Sequence, residues 1–163
     1  MWEEKKSKIH GIGIVASENI KKNTKVIEYI GEKITKSEGN KRSAERIKKY
    51  LYKKNEGSVY IFELNKKYDI DGTPSYNKAR YINHSCNPNC EVDIINNQIW
   101  IIAIKNIKKD NELSYDYGYP FDESDYTDHV CKCGSHNCIG YILARDDWIK
   151  YKKFLQKKIK KIK

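Results

Sequence analysis

Three cysteines fall within eight residues near the C-terminal end, Cys131, Cys133 and Cys138 in C-K-C-G-S-H-N-C. Thiolates held this close repel one another unless a cation binds them. Ligand type and spacing point to Zn²⁺, which takes four ligands in a tetrahedron at structural sites. A fourth ligand must then come from elsewhere in the chain. Cys86 and Cys90 are the candidates, with His129 and His136 as weaker ones. Use of Cys86 would assemble a site from two distant stretches of sequence. Left as free thiols in a loop, the trio would be open to oxidation. Five cysteines is an odd number and suits a metal better than a disulfide framework. Such a site implies a reducing, intracellular compartment.

The 163 residues fit one domain with its own core. Net charge is +10, and eight lysines with no acid lie between Lys150 and Lys163. The rest of the chain carries 24 basic and 22 acidic residues and is nearly neutral. A basic tail favours a polyanionic partner such as nucleic acid or an acidic protein surface. No apolar run reaches the ~20 residues that would span a bilayer, so no membrane partner is expected. The opening MWEEKKSKIHG has no signal-peptide apolar region.

Short apolar runs broken by turn residues between Lys8 and Ile34 predict two or three strands, with a sharp bend at Gly11 and Gly13. Ala44, Ile47, Tyr50 and Leu51 recur at helical spacing, which predicts one amphipathic helix within about 35–55. Strands are expected again at Ser58–Leu64, Tyr68–Ile70, Glu91–Ile95 and Gln98–Ile104, with Asn96-Asn97 as a hairpin turn. The acidic stretch Phe121–Val130 reads as a loop. Trp148, Tyr151, Leu155, Ile159 and Ile162 predict a basic amphipathic helix at the end. The fold class is therefore mostly β with short helices.

Two polar motifs remain. R-Y-I-N-H-S-C-N-P-N-C runs from Arg80 to Cys90. Alone, it could be an ordinary surface loop. E-L-S-Y-D-Y-G-Y runs from Glu112 to Tyr119, and Tyr115 and Tyr117 share a face if this is a strand. Alone, such a pair could simply pack a sheet.

Together with H-G-x-G at His10–Gly13 and the cysteine trio, in this order and at these gaps, the motifs resemble SET-domain protein-lysine methyltransferases that carry a post-SET zinc segment. The resemblance covers about Lys8 to Leu143. It implies small twisted sheets with a knot-like crossing of the N-H-S-C and E-L-S-Y-D-Y segments. It also implies a SET domain over 1–120, a zinc-binding post-SET segment over 121–145 and a basic tail over 146–163.

The resemblance further implies S-adenosylmethionine as methyl donor and one structural zinc ion, held by Cys86, Cys131, Cys133 and Cys138 with Cys90 free. His10, Gly11, Ile12 and Gly13 would approach the donor, with Tyr60, Arg80, Asn83, His84, Lys132 and Tyr141 completing its surroundings. Tyr117 would be the catalytic tyrosine. Tyr60 would line both pocket and lysine channel, and Tyr115 would limit the number of methyl groups added. A tyrosine at 115 points to mono- or dimethylation. The partner would be a lysine-containing protein, foremost a histone tail, in a nucleus or host nucleus, with nucleic-acid or nucleosome contact through the basic tail. A SET-fold binding module without catalysis, or a methyltransferase of a non-histone protein, are the other readings.

Three positions depart from the family pattern. Tyr76-Asn77 replaces the usual Gly-Asn, Tyr81 a usual Phe, and Ile12 a frequent Arg or Lys. The last removes a cation that would meet the donor's carboxylate.

Overall fold

The computed structural model describes residues 1–52 and 60–162. The chain order is β1 (Trp2–Lys6), β2 (Ile12–Ala16), β3 (Lys25–Tyr29), β4 (Glu32–Thr35), α1 (Lys36–Tyr52), β5 (Ile61–Glu63) and β6 (Tyr68–Asp71). It continues with β7 (Asn83–His84), β8 (Cys90–Ile95), β9 (Gln98–Ala103), β10 (Ser114–Tyr115) and α2 (Trp148–Ile162). Four small sheets result among the described residues: β1-β2, β3-β9-β8, β4-β6-β5 and a short parallel pair, β7-β10.

The β8–β9 hairpin shows how directly sequence sets register. Asn96 and Asn97 take φ of 52° and 59°. A two-residue turn with both central residues left-handed matches the twist of the strands it joins. Ile95 then faces Gln98 and Cys90 faces Ala103. Ile99, Ile101 and Ala103 alternate into the core from β9, the central strand of its sheet. Ile14, Ile82, Leu113 and Tyr115 join them, so the core lies directly beneath β7 and β10.

β1 is absent from the sequence expectation, because W-E-E-K-K has no apolar alternation. It is an edge strand, paired on one side only through Trp2↔Ala16 to Lys6↔Ile12. The expected strand at 58–64 is present as β5, and its first residues lie outside those described. So do the helical positions beyond Tyr52.

α1 forms where expected, but the first two residues of its apolar series face outward, and the side chains of Tyr50 and Leu51 lie outside those described. Ile47 is 48% exposed and Ala44 is also exposed. The inward face is ionic. Arg46 clasps Asp71 through two nitrogens at 2.7 and 2.9 Å, and Arg42 reaches the same carboxylate at 2.8 Å. Burial alone would raise the Asp71 carboxyl, but hydrogen bonds from Arg46, Thr73 and Arg42 hold it well below the usual carboxylate range. The helix rides close to β6 at Gly39, where a methyl group would meet Asp69 Oδ2. Asp69 and Asp71 alternate upward from β6, so the surface beneath the helix is acidic and selects its arginine face.

α2 follows its apolar pattern over its first half. Tyr151 is buried with Phe121, Tyr126 and Leu143 in a second cluster, flanked by Trp148, Phe154 and Leu155. Phe121 and Tyr126 come from the stretch read as an acidic loop, which also contains one 3-10 turn, Tyr126–Asp128. Ile159 lies past the docking surface and is 59% exposed. No helix among the described residues is long and apolar enough to cross a membrane.

Candidate functional site

The site is built where β7 lies parallel to β10, with Asn83 opposite Ser114 and His84 opposite Tyr115. The two polar motifs of the sequence are therefore neighbours in space. Asn89 fastens them together. Its amide nitrogen donates to the Glu112 carbonyl and its side-chain oxygen accepts from the Ser114 N–H, both at 2.8 Å.

His84 is buried, and its Nδ1 accepts a hydrogen bond from the Tyr117 N–H at 3.2 Å. That bond leaves the proton on Nε2, which stands 3.6 Å from the Cys86 sulfur. Burial pulls the imidazole below its ordinary value, against Asp116, so the ring is neutral near pH 7. His84 thus links the tyrosine segment to the cysteines.

Cys86, Cys131, Cys133 and Cys138 gather so that their sulfurs all lie within 4.8 Å of one another. The Cys86 sulfur is 3.8 Å from those of Cys131 and Cys138. A tetrahedron with zinc–sulfur bonds of about 2.3 Å has edges near ~3.8 Å, so the donor set fits that ion. Burial works against ionisation of Cys133, but its contacts with the Ser135 hydroxyl and the Cys86 N–H hold the thiol down at about 6. Cys86 is instead pushed up to about 12 by burial. A coordinated cation would favour the thiolate at each position. The alternatives for the fourth ligand stand elsewhere. Cys90 is buried on β8 outside the group, His129 packs edge-on against Tyr119, and His136 is exposed.

The aromatic residues run in a row. Tyr29 meets Phe62, Phe62 meets Tyr115, and Tyr115 meets Tyr117, with centroids 4.5, 5.9 and 4.9 Å apart. The Tyr117 hydroxyl donates to the Ile82 carbonyl at 3.0 Å. Burial, assisted by Tyr119 and Tyr60, holds its phenol well above the ordinary value, and burial does the same at Tyr115. Both are neutral phenols at physiological pH. The Tyr60 carbonyl accepts from the Tyr29 hydroxyl at 2.9 Å, and its ring stacks on Arg80, whose guanidinium also bonds the Thr73 carbonyl.

At the other side, Gly11 takes φ of 52°, which lets the chain turn between β1 and β2. The Asn83 amide nitrogen points at the carbonyls of His10 and Ile12, each at 3.3 Å. Lys132 is exposed between two of the clustered cysteines. Tyr141 does not join the tyrosine row. Its ring packs on Tyr126 and Tyr151, 4.9 and 5.9 Å away, at the edge of the second aromatic cluster. The departures are accommodated. Tyr76 is 59% exposed while Asn77, fully buried, bonds the Gly72 carbonyl at 2.9 Å. Tyr81 keeps an aromatic ring beside Arg80. Ile12 is 48% exposed and supplies no cation.

Comparison with known proteins supplies the family. The SET domain family model matches residues 11–118. The chain belongs to the SET-domain family. This SET domain is similar to human histone-lysine N-methyltransferase 2D, at 38% identity over 137 residues, covering 82% of the chain and 2% of that protein. It is 41% identical over 140 residues to the Schizosaccharomyces pombe histone-lysine N-methyltransferase, H3 lysine-4 specific, covering 83% of the chain and 14% of that protein. It is 40% identical over 138 residues to histone-lysine N-methyltransferase trr of Drosophila melanogaster, covering 82% and 5%. The chain thus spans a small part of the length of the curated relatives it matches.

Sequence reasoning passed over two polar groups at the heart of the site. Glu112 was visible only as the first letter of a tyrosine motif. Ser7 carries no pattern at all. Both contact Asn83.

Proposed function

We propose that this SET-domain protein methylates lysine side chains of proteins, histones foremost, with S-adenosylmethionine as donor and with mono- or dimethyl-lysine as product. The observation that carries the reading is the junction of β7 and β10, which sets Asn83, His84, Tyr115 and Tyr117 side by side next to four clustered cysteines. The relatives' names support the histone substrate. The reading divides the chain into a catalytic unit over 1–120, a zinc segment over 121–145 and a basic tail.

When bound, S-adenosylmethionine supplies an electrophilic sulfonium methyl. The residues have then to deliver a neutral amine in line with it. Lysine in water has a pKa near ~10.4. An aromatic channel beside a sulfonium lowers it, by desolvation and by like charge. The Tyr117 proton is committed to the Ile82 carbonyl, so its oxygen is left as an acceptor for an amine N–H. Such orientation of reactants can supply roughly 7–11 kcal/mol of barrier lowering. With its phenol neutral, Tyr117 acts by positioning rather than as a base. Zinc, when bound, would cross-link Cys86, beside His84, to the C-terminal segment.

Tyr115 is 6% exposed and sits between Phe62 and Tyr117. Its hydroxyl fills space that a methylated amine would need. Tyr115→Phe is expected to shift products toward trimethyl-lysine, read by mass spectrometry of a modified peptide. Mainly trimethyl product from the unmodified protein, or an unchanged distribution in the variant, would refute this role.

The basic helix supports a second contact. Lys153, Lys157 and Lys160 recur every three to four residues, all exposed, on the side of α2 away from Tyr151 and Leu155. Such a row suits a nucleic-acid backbone. Changing Lys153, Lys157 and Lys160 to Gln should lower the salt slope of DNA binding by about three. An unchanged slope would dismiss the contact.

A further inference from the structure

We infer that Ser7 and Glu112 are positioning residues for the methyl donor, locking the 7–13 loop onto Asn83 so that the Asn83 carbonyl oxygen is presented to the donor's ammonium. This rests on the reading of the site as a methyl-donor pocket.

The Ser7 hydroxyl is the centre of the arrangement. It donates to Glu112 Oε1 at 2.6 Å. It accepts from the N–H groups of Ile9 and His10 at 2.8 and 3.1 Å, which shapes the loop, and from Asn83 Nδ2 at 3.0 Å. Glu112 Oε1 accepts from the same Asn83 nitrogen at 2.8 Å, and its Oε2 accepts from the Lys8 N–H at 3.3 Å. The Glu112 backbone is itself fixed, bridged to Val15 and followed by a Leu113 N–H to Ile14 carbonyl bond of 2.7 Å. Two remote pieces of sequence, the 7–13 loop and Glu112, thus converge on the side-chain amide of a third.

That convergence decides the orientation of Asn83. Ser7 Oγ, Glu112 Oε1 and the carbonyls of His10 and Ile12 are four acceptors around one nitrogen. Only the NH₂ side of the carboxamide can face them. Oδ1 is consequently turned to the opposite side as an acceptor. A ligand ammonium is the group it suits, and a carboxylate nearby adds negative potential for a cationic donor. The arrangement also gives Gly13 a specific task. A Cβ there would lie 2.6 Å from Glu112 Oε1 and 3.1 Å from the Ser7 Cβ. The missing side chain is what admits the carboxylate beneath the loop.

The test uses Ser7→Ala, Glu112→Gln, Glu112→Ala and Gly13→Ala in the full chain. Donor affinity is read by calorimetry with S-adenosylmethionine, and KM and kcat are read separately for donor and peptide. The Ser7→Ala, Glu112→Ala and Gly13→Ala variants are each expected to raise Kd and KM for S-adenosylmethionine about tenfold or more. The peptide KM and kcat should stay within about threefold of the parent. Glu112→Gln keeps the shape and should melt like the parent while still binding the donor several-fold more weakly, so it carries the test should another variant fail to fold. Donor affinity within twofold of the parent in the folded variants would overturn the inference, as would a loss confined to kcat or to the peptide KM. If the parent protein itself binds no S-adenosylmethionine, the underlying reading of the pocket fails. If the parent binds and the variants bind equally, only the roles of Ser7 and Glu112 fail.

Discussion

Tyr117→Phe is expected to leave the fold intact and to reduce methyl transfer to a lysine peptide by about 100-fold or more, the scale on which a misplacement near 1 Å acts. The substitution removes one oxygen. Packing of the ring against His84 and Tyr115 stays, at centroid distances of 5.4 and 4.9 Å in the parent. The Ile82 carbonyl loses its donor, which costs about 1–3 kcal/mol if the group is left unsatisfied. Tertiary structure should survive that, and a circular dichroism melt would check it. The amine loses the acceptor that orients its lone pair. Loss should therefore appear in kcat at saturating donor and peptide. Unchanged turnover in a folded variant would refute the role.

Stripping metal should be the other large effect. Four sulfurs within 4.8 Å of one another tie Cys86, two residues from His84, to Cys131–Cys138. Zinc binding at such sites is worth on the order of 10 kcal/mol, comparable to the stability of a whole domain. Chelation, or Cys133→Ser, is expected to loosen the segment over 131–138, to lower the melting temperature and to abolish transfer. Elemental analysis of the purified protein should give one zinc per chain. A metal-free protein with full activity and unchanged melting would contradict this account of the cluster.

The chemistry of the site was more legible in the sequence than its supports were. Clustering of metal-ligating sulfurs depends on residue type at fixed local spacing, so C-x-C-x4-C announces itself, whereas R-Y-I-N-H-S-C reads as a surface loop until E-L-S-Y-D-Y and the cysteines are set beside it. The β8–β9 hairpin was equally readable, because Asn96-Asn97 states the turn and the apolar alternation states the register. The orientation of α1 was not. Periodicity assumes an apolar floor, whereas the floor here is Asp69 and Asp71, and the arginines of α1 face it. β1 escaped because a charged edge strand is held by backbone pairing with β2 and carries no alternation. Phe121 and Tyr126 were hidden inside an acidic stretch without period, yet they anchor α2. Ser7 is a lone hydroxyl whose importance comes only from what lies across from it.

The most direct test is incubation of the protein with isotope-labelled S-adenosylmethionine and a panel of histones and cell extract, followed by mapping of the labelled residues. The account predicts labelled methyl groups on lysine side chains, one or two per residue, dependent on Tyr117. Label no higher than with Tyr117→Phe, or label on residues other than lysine, would contradict it.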